Sequence, residues 1–192
     1  MTAPPRPPAC GFTVIELMVA LALAAILLVA ATPSFVSMRR NSELIATANT
    51  LVAAINAGRS EAMKRGVYVY AAPTDGNNWN GGITVFVDKN MDQSFTPGVD
   101  DVVLALPAFP AYLSITGTGT AAGAGPYISY DGSGYAKTKS GGFGALTLSI
   151  ARNDVGAAQA GAQTRRIIIA STGRLRSCRP DQDATCAASA TQ

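Results

Sequence analysis

Histidine is absent from all 192 residues, which removes the side chain most often used for proton transfer near neutral pH. The commonest zinc ligand is missing with it, and cysteine numbers only three. Ser and Cys nucleophiles therefore have no identifiable base. Asp100 and Asp101 are adjacent, so on a strand they would point to opposite faces and could not share a substrate. No catalytic residue and no cofactor are assigned, and the chain reads as a non-enzyme. Charged residues make up 14% and aromatics 7%. Gly, Ala, Ser and Thr fill much of the remainder, a composition suited to short strands joined by flexible loops. The length allows a membrane helix and one modest globular domain, not two.

Charge is missing altogether from Leu17 to Val36. As a helix rising ~1.5 Å per residue, this run spans roughly the 30 Å of a bilayer core. Glu16 stands just before it, after the step Gly11-Phe12 and the polar, proline-rich leader MTAPPRPPACG. A secretory signal would have more positive charge, a shorter apolar core and a cleavage site after that core, whereas the best site here precedes it. The stretch GFTVIEL, Gly11 to Leu17, resembles the class III leader of type IV pilins and pseudopilins. That resemblance implies cutting by prepilin peptidase after Gly11 and methylation of the new amino terminus on Phe12. It also implies a partner for Glu16, the amino terminus of a neighbouring subunit. A carboxylate placed in the membrane costs ~2.5–3.5 kcal/mol on the insertion scale and needs such a partner or a proton.

Cys10 would leave with the leader, so Cys178 and Cys186 remain as an even pair. In an oxidising compartment they would close a small loop, and two thiols without His make a poor zinc site. Arg39 and Arg40 lie beyond the apolar run and Arg6 before it, so a positive-inside count favours the inverse orientation. Processing from the cytoplasm and the cysteine pair favour a single-pass protein of the bacterial inner membrane with a periplasmic C-terminal domain.

The helix is expected to run from about Phe12 to Arg65. Met38, Ile45, Ala48, Val52, Ile55 and Ala62 form the apolar stripe of its second half, and Pro33 is expected to bend it. Glu61 and Arg65 can pair at i,i+4, and Gly66 suits a C-terminal cap. Beyond Gly66 the pattern changes to period two. Strands are predicted at 67–72, 83–88, 102–106, 112–115, 127–130, 145–150, 166–170 and 174–178. The segments RSEAMKRG (59–66), WNGGITVFVDKNMDQSFTPGVDDVVL (79–104), YISYDGSGYA (127–136) and IIIASTGRLRSC (167–178) resemble the GspH/FimT branch of minor pilins and pseudopilins. The resemblance implies an α+β, type IV pilin-like fold, with a long N-terminal helix packed on a C-terminal antiparallel β domain. The expected division is leader 1–11, membrane and filament-core helix 12–36, amphipathic helix 37–66 and β domain 67–192. Partners would be other pilin or pseudopilin subunits in a filament, the prepilin peptidase and the inner membrane.

Two constellations could carry chemistry in the β domain. Asp88, Asn90, Asp92 and Ser94 imitate the start of a calcium loop. Gln93 stands where the sixth-position glycine belongs, however, and Val99 where the twelfth-position acid belongs, with Asp100 one place late. The stretch is therefore read first as a polar turn, and no metal is assigned. The second constellation is basic. From 67 to 131 there is one Lys against six Asp, whereas from 132 to 192 there are eight Lys or Arg against three Asp. Arg174 and Arg176 would share a strand face, with Leu175 opposite, and Arg165, Arg166 and Arg179 could extend the patch together with Arg152, Lys137 and Lys139. Gly173-Arg174-Leu175-Arg176 resembles the GRxR element of FimT-type minor pilins, for which DNA binding in natural transformation is implied. The competing function is a GspH-like pseudopilin of type II secretion, in which these arginines serve solubility or subunit contacts. A two-residue turn would set Arg176 across from Ile169, so a longer turn or a bulge is expected.

Overall fold

A computed structural model describes residues 11–189, so the leader up to Cys10 lies outside the described residues. Thr13 starts the long helix, α1 (Val14–Arg65), by accepting a hydrogen bond from Glu16 N to its Oγ1. The chain divides between Arg40 and Asn41 into two units. In the first, the large apolar side chains from Phe12 to Val36 are exposed, Phe12 at 81% and Leu28 at 70%. Among the described residues this is one helix long and apolar enough to cross a membrane, and it continues as one element through position 33. Thr32 donates its hydroxyl back to Leu28 O at 2.8 Å.

In the second unit α1 buries Leu44, Ala48, Leu51, Ala54, Ile55 and Ala62. Ala48, Ile55 and Ala62 of the expected stripe are in this face, but it is rotated in part from the expected one, since Ile45 is exposed and Val52 only half-buried. Small residues decide the difference. A Cβ on Gly58 would lie 2.9 Å from Val85 Cγ1, so the glycine lets the helix axis sit against β-branched strand residues. The helix ends at Gly66, whose N–H still reaches Ala62 O at 2.8 Å and whose φ of +69° turns the chain so that Val67 N donates to the same oxygen at 3.3 Å. Arg65 pairs with Glu61 one turn back and with Asp101 at 2.8 Å.

Among the described residues eight strands follow: β1 (Val69–Pro73), β2 (Ile83–Val87), β3 (Asp101–Leu106), β4 (Leu113–Gly117), β5 (Ile128–Tyr130), β6 (Leu146–Arg152), β7 (Thr164–Ile169) and β8 (Leu175–Cys178). They form two antiparallel four-stranded sheets, ordered β3-β2-β1-β5 and β4-β6-β7-β8. Alternation puts Ile83, Val85 and Val87 of one sheet, and Leu146, Leu148, Ile150, Ile167 and Ile169 of the other, into one core with the helix face. The outer face of the first sheet is covered by its own aromatics, Tyr70 stacking on Phe86 and Phe86 against Phe95. The sequence WNGG joins the sheets. Trp79 Nε1 donates to Ala121 O at 2.9 Å, while Asn80 accepts from Ile115 N and donates to Leu113 O.

Candidate functional site

At the amino-terminal end, Gly11 and Phe12 precede the helix as an exposed, non-helical step. Glu16 sits in the first turn, where the unpaired amides and the positive end of the helix dipole favour an anion. Thr13-Val14-Ile15-Glu16 has the spacing of a capping box, a helix-start signal that the sequence reading passed over.

The basic patch is assembled by the hairpin of β7 and β8. Ile169 faces Leu175 and Ile168 faces Arg176, so residues 170–174 form the longer connection that the spacing required. Within it, Gly173 N donates to Ala170 O and Ala170 N to Arg174 O. Gly173 packs against another loop so closely that a Cβ would lie 1.9 Å from Gly134 O, and its φ is +80°. Arg59 of α1 donates from Nε to Gly134 O at 2.9 Å and from Nη2 to Thr172 O at 3.2 Å, tying the hairpin tip to the helix.

The five patch arginines divide sharply. Arg174 lies in the connection, exposed, and among the described residues nothing pairs with its guanidinium. Arg176 is engaged: Nη1 donates to Asp183 Oδ2 at 3.2 Å and to Thr185 Oγ1 at 3.0 Å, and Nη2 to Thr185 O. Arg166 donates to Cys186 O from the facing strand. Both therefore hold down the loop closed by the Cys178–Cys186 disulfide, with its Cα atoms 5.8 Å apart. Arg179 forms a two-pronged pair with Asp181. Arg165 is buried and donates to Ala162 O and Thr164 O, both at 2.9 Å; burial, with Arg179 nearby, pushes its guanidinium pKa down. Among the additional cations, Arg152 grips Asp154 and Lys137 pairs with Asp131 while lying 3.9 Å over the Phe143 ring. Asp181 and Asp183 are two of the three Asp between 132 and 192. Folding places them on the arginines, and the short spacing Arg179-Pro180-Asp181 is the signal that could have announced one of these pairs.

The acidic loop between β2 and β3 brings together oxygens of Asp88, Asp92 and Asp100 within 4.8 Å of one another. Asp88 and Asp100 are buried, at 6% and 8% exposure. Asn90 lies beside Asp92, which it both donates to and accepts from. Hydrogen bonds from Ser94 N, and from Asn90 and Thr96 side chains, hold the Asp92 carboxyl below its usual range.

An exposed membrane-length helix with an acidic first turn, continuing into a two-sheet β domain, defines the chain as a type IV pilin-like subunit. The family model described as type II transport protein GspH matches residues 47–173, and the prokaryotic N-terminal methylation motif matches residues 6–32. The chain belongs to the GspH family, one of filament subunits rather than enzymes. Two crystal structures of the type IV minor pilin FimU of Pseudomonas aeruginosa (strain PAO1) share the fold. The first, in space group P21, has a TM-score of 0.54 at 17% identity over 73% of this chain and 92% of FimU. The second, in space group P65, has a TM-score of 0.51 at 16% identity over 71% and 94%. No curated protein matches the sequence.

Proposed function

We propose that this chain is a minor pilin of a type IV filament machine. Prepilin peptidase cuts it after Gly11 and methylates Phe12. The single-pass protein then waits in the bacterial inner membrane with its C-terminal domain in the periplasm, until other pilin subunits take it into the filament. On this reading residues 1–11 are leader, 12–36 the membrane and filament-core helix, 37–66 the amphipathic spine and 67–192 the β domain. The observation that carries it is the exposure of the large apolar side chains between Phe12 and Val36, among them Leu17, Leu21, Leu28 and Phe35. A bilayer, and afterwards a bundle of like helices, covers them. Glu16, the one carboxylate in that segment, pairs with the amino terminus that cleavage gives a neighbour.

Coexpression with a prepilin peptidase and mass spectrometry of the amino terminus test this. N-methylated Phe12 supports it, with Gly11→Glu keeping the leader and Glu16→Val processed but left out of filaments. An intact leader on the wild-type chain in membranes would make it a signal-anchored periplasmic domain instead.

A DNA-binding role in natural transformation is the finer part of the proposal, and it rests on Arg174 as its freely presented cation. Salt-dependent binding by the full chain in detergent should have a slope near −0.9 per duplex phosphate, and Arg174→Ala should flatten it by about one unit. Absence of binding at low salt would favour the alternative, a GspH-like pseudopilin of type II secretion without a DNA-binding role.

A further inference from the structure

Seen along the chain, the Asp88–Asp100 loop misses two features of a calcium loop, a glycine at its sixth position and an acid at its twelfth. The fold supplies both by other residues. Gln93, the sixth residue, has a φ of +64°, the left-handed conformation for which glycine is ordinarily used, and its N–H donates to Asp88 Oδ2 at 3.0 Å. Asp100, one place late in sequence, turns inward and becomes the third carboxylate of the cluster. It is fixed there by Lys89 N on Oδ1 at 3.0 Å and Thr96 N on Oδ2 at 2.7 Å.

A separate observation points to a ligand. Asp88 Oδ1 is fully buried and has no hydrogen-bond partner, although the other oxygen of the same carboxylate is satisfied. A buried anionic oxygen is costly unless it meets a donor or a cation. Basic side chains do not fill that role. Lys89 Nζ and Arg65 Nη1 go to Asp101 instead, Lys139 acts on Asp92 without forming an ion pair, and among the described residues no ion pair reaches Asp88, Asp92 or Asp100. Three like charges within 4.8 Å repel one another in a partly dehydrated loop, and a divalent cation between them turns that repulsion into attraction.

We propose that this loop is a calcium site, with Asp88, Asp92 and Asp100 as carboxylate ligands and Asn90 as a further oxygen donor. The donor set is all oxygen, which suits a hard cation and not zinc or copper. Three carboxylates on an irregular loop suit the larger, less directional calcium ion better than magnesium, which prefers one or two carboxylates and keeps its water.

The test uses the full-length protein in detergent micelles, stripped with EGTA and titrated calorimetrically with calcium chloride, with magnesium chloride in parallel. The expected result is one calcium per chain, with a dissociation constant of about 10⁻³ M or tighter, the range of extracellular modules, and magnesium at least about tenfold weaker. Calcium should also raise Tm in step with its occupancy. Asp88→Asn and Asp100→Asn should weaken binding at least tenfold. Should those buried changes impair folding, Asp92→Asn, at an exposed position, carries the same comparison. No heat and no Tm shift up to about 10 mM calcium, well above that range, would overturn the proposal. So would variants that bind as the wild type does, or magnesium binding as tightly.

Discussion

Arg176 reaches from β8 into the disulfide loop and donates to Asp183 Oδ2 at 3.2 Å, so the second arginine of GRLR closes a structural contact within the chain. Leu175 packs against the core and Gly173 against Gly134. Of the four residues, Arg174 is left facing solvent. Arg176→Ala should therefore lower Tm by about 1–3 °C, as expected for loss of a partly exposed, multidentate contact, while Arg174→Ala should leave Tm unchanged. Thermal unfolding followed by circular dichroism compares the two. Equal effects would contradict this division of roles.

Gly173 is under tighter constraint than either arginine. A methyl there would meet a backbone oxygen that cannot swing away, and φ is in the left-handed region. Gly173→Ala should cost about 2–4 kcal/mol, among the larger single-residue effects, read as a fall in the denaturation midpoint without change of slope. Gln93 shares the sign of φ, is half-buried and donates from Nε2 to Lys139 O at 3.0 Å, so in Gln93→Gly the relief of the left-handed backbone offsets the lost bond and stability should change by less than about 1 kcal/mol. The two substitutions thus separate a required glycine from a permitted one.

Much of this was legible in the sequence, and the failures share a cause. Eight β-branched and aromatic runs between turn residues gave eight strands, because period two and turn chemistry are local signals. Gly66 announced the helix end in the same local way. The buried helix face keeps Ala48, Ile55 and Ala62 of the expected stripe but not Ile45 or Val52, because the fold turns inward the side that carries Leu44, Leu51, Ala54 and Gly58. The arginine patch was overestimated because charge counts do not say which Asp folds onto which Arg. Asp100 was set aside because a template counts residues, while the loop, with left-handed Met91 and Gln93, has its own path. In each case the missing information is a contact between residues distant in sequence or a backbone turn made by a residue that rarely makes it.

The disulfide and the two clamping arginines act on one loop and should be coupled. Cys178 and Cys186 are eight residues apart, for which chain entropy gives roughly 2–3 kcal/mol of stabilisation. Reduction should lower the denaturant midpoint accordingly. In the reduced protein Arg176→Ala should have a smaller effect than in the oxidised one, since the loop it holds is then looser. A double-mutant cycle with Cys178→Ser/Cys186→Ser measures the coupling, and strict additivity would show the contacts to be independent.

Alkaline pH should be the harsher limit for the β domain. Burial pushes the phenols of Tyr70 and Tyr130 well above the ordinary tyrosine range, aided for Tyr70 by the nearby Asp88 carboxylate and opposed for Tyr130 by Arg59. The folded state thus keeps both protons above pH ~10, where the unfolded chain releases them. The unfolded state then binds fewer protons, so stability falls as pH rises; the contribution is complete below pH ~10 and is lost as pH climbs toward the folded values. At the acid end Asp101, held low by Lys89 and Arg65, and Asp183, held low chiefly by Thr185, contribute in the opposite sense, so their stabilisation disappears as pH falls below ~4. Phenolate absorbance during an alkaline titration should therefore show two tyrosines ionising only with the loss of the circular dichroism signal. Smooth ionisation of every tyrosine near pH ~10 in a protein that remains folded would mean that water reaches both Tyr70, in the aromatic cover over the first sheet, and Tyr130, on the core face of that sheet.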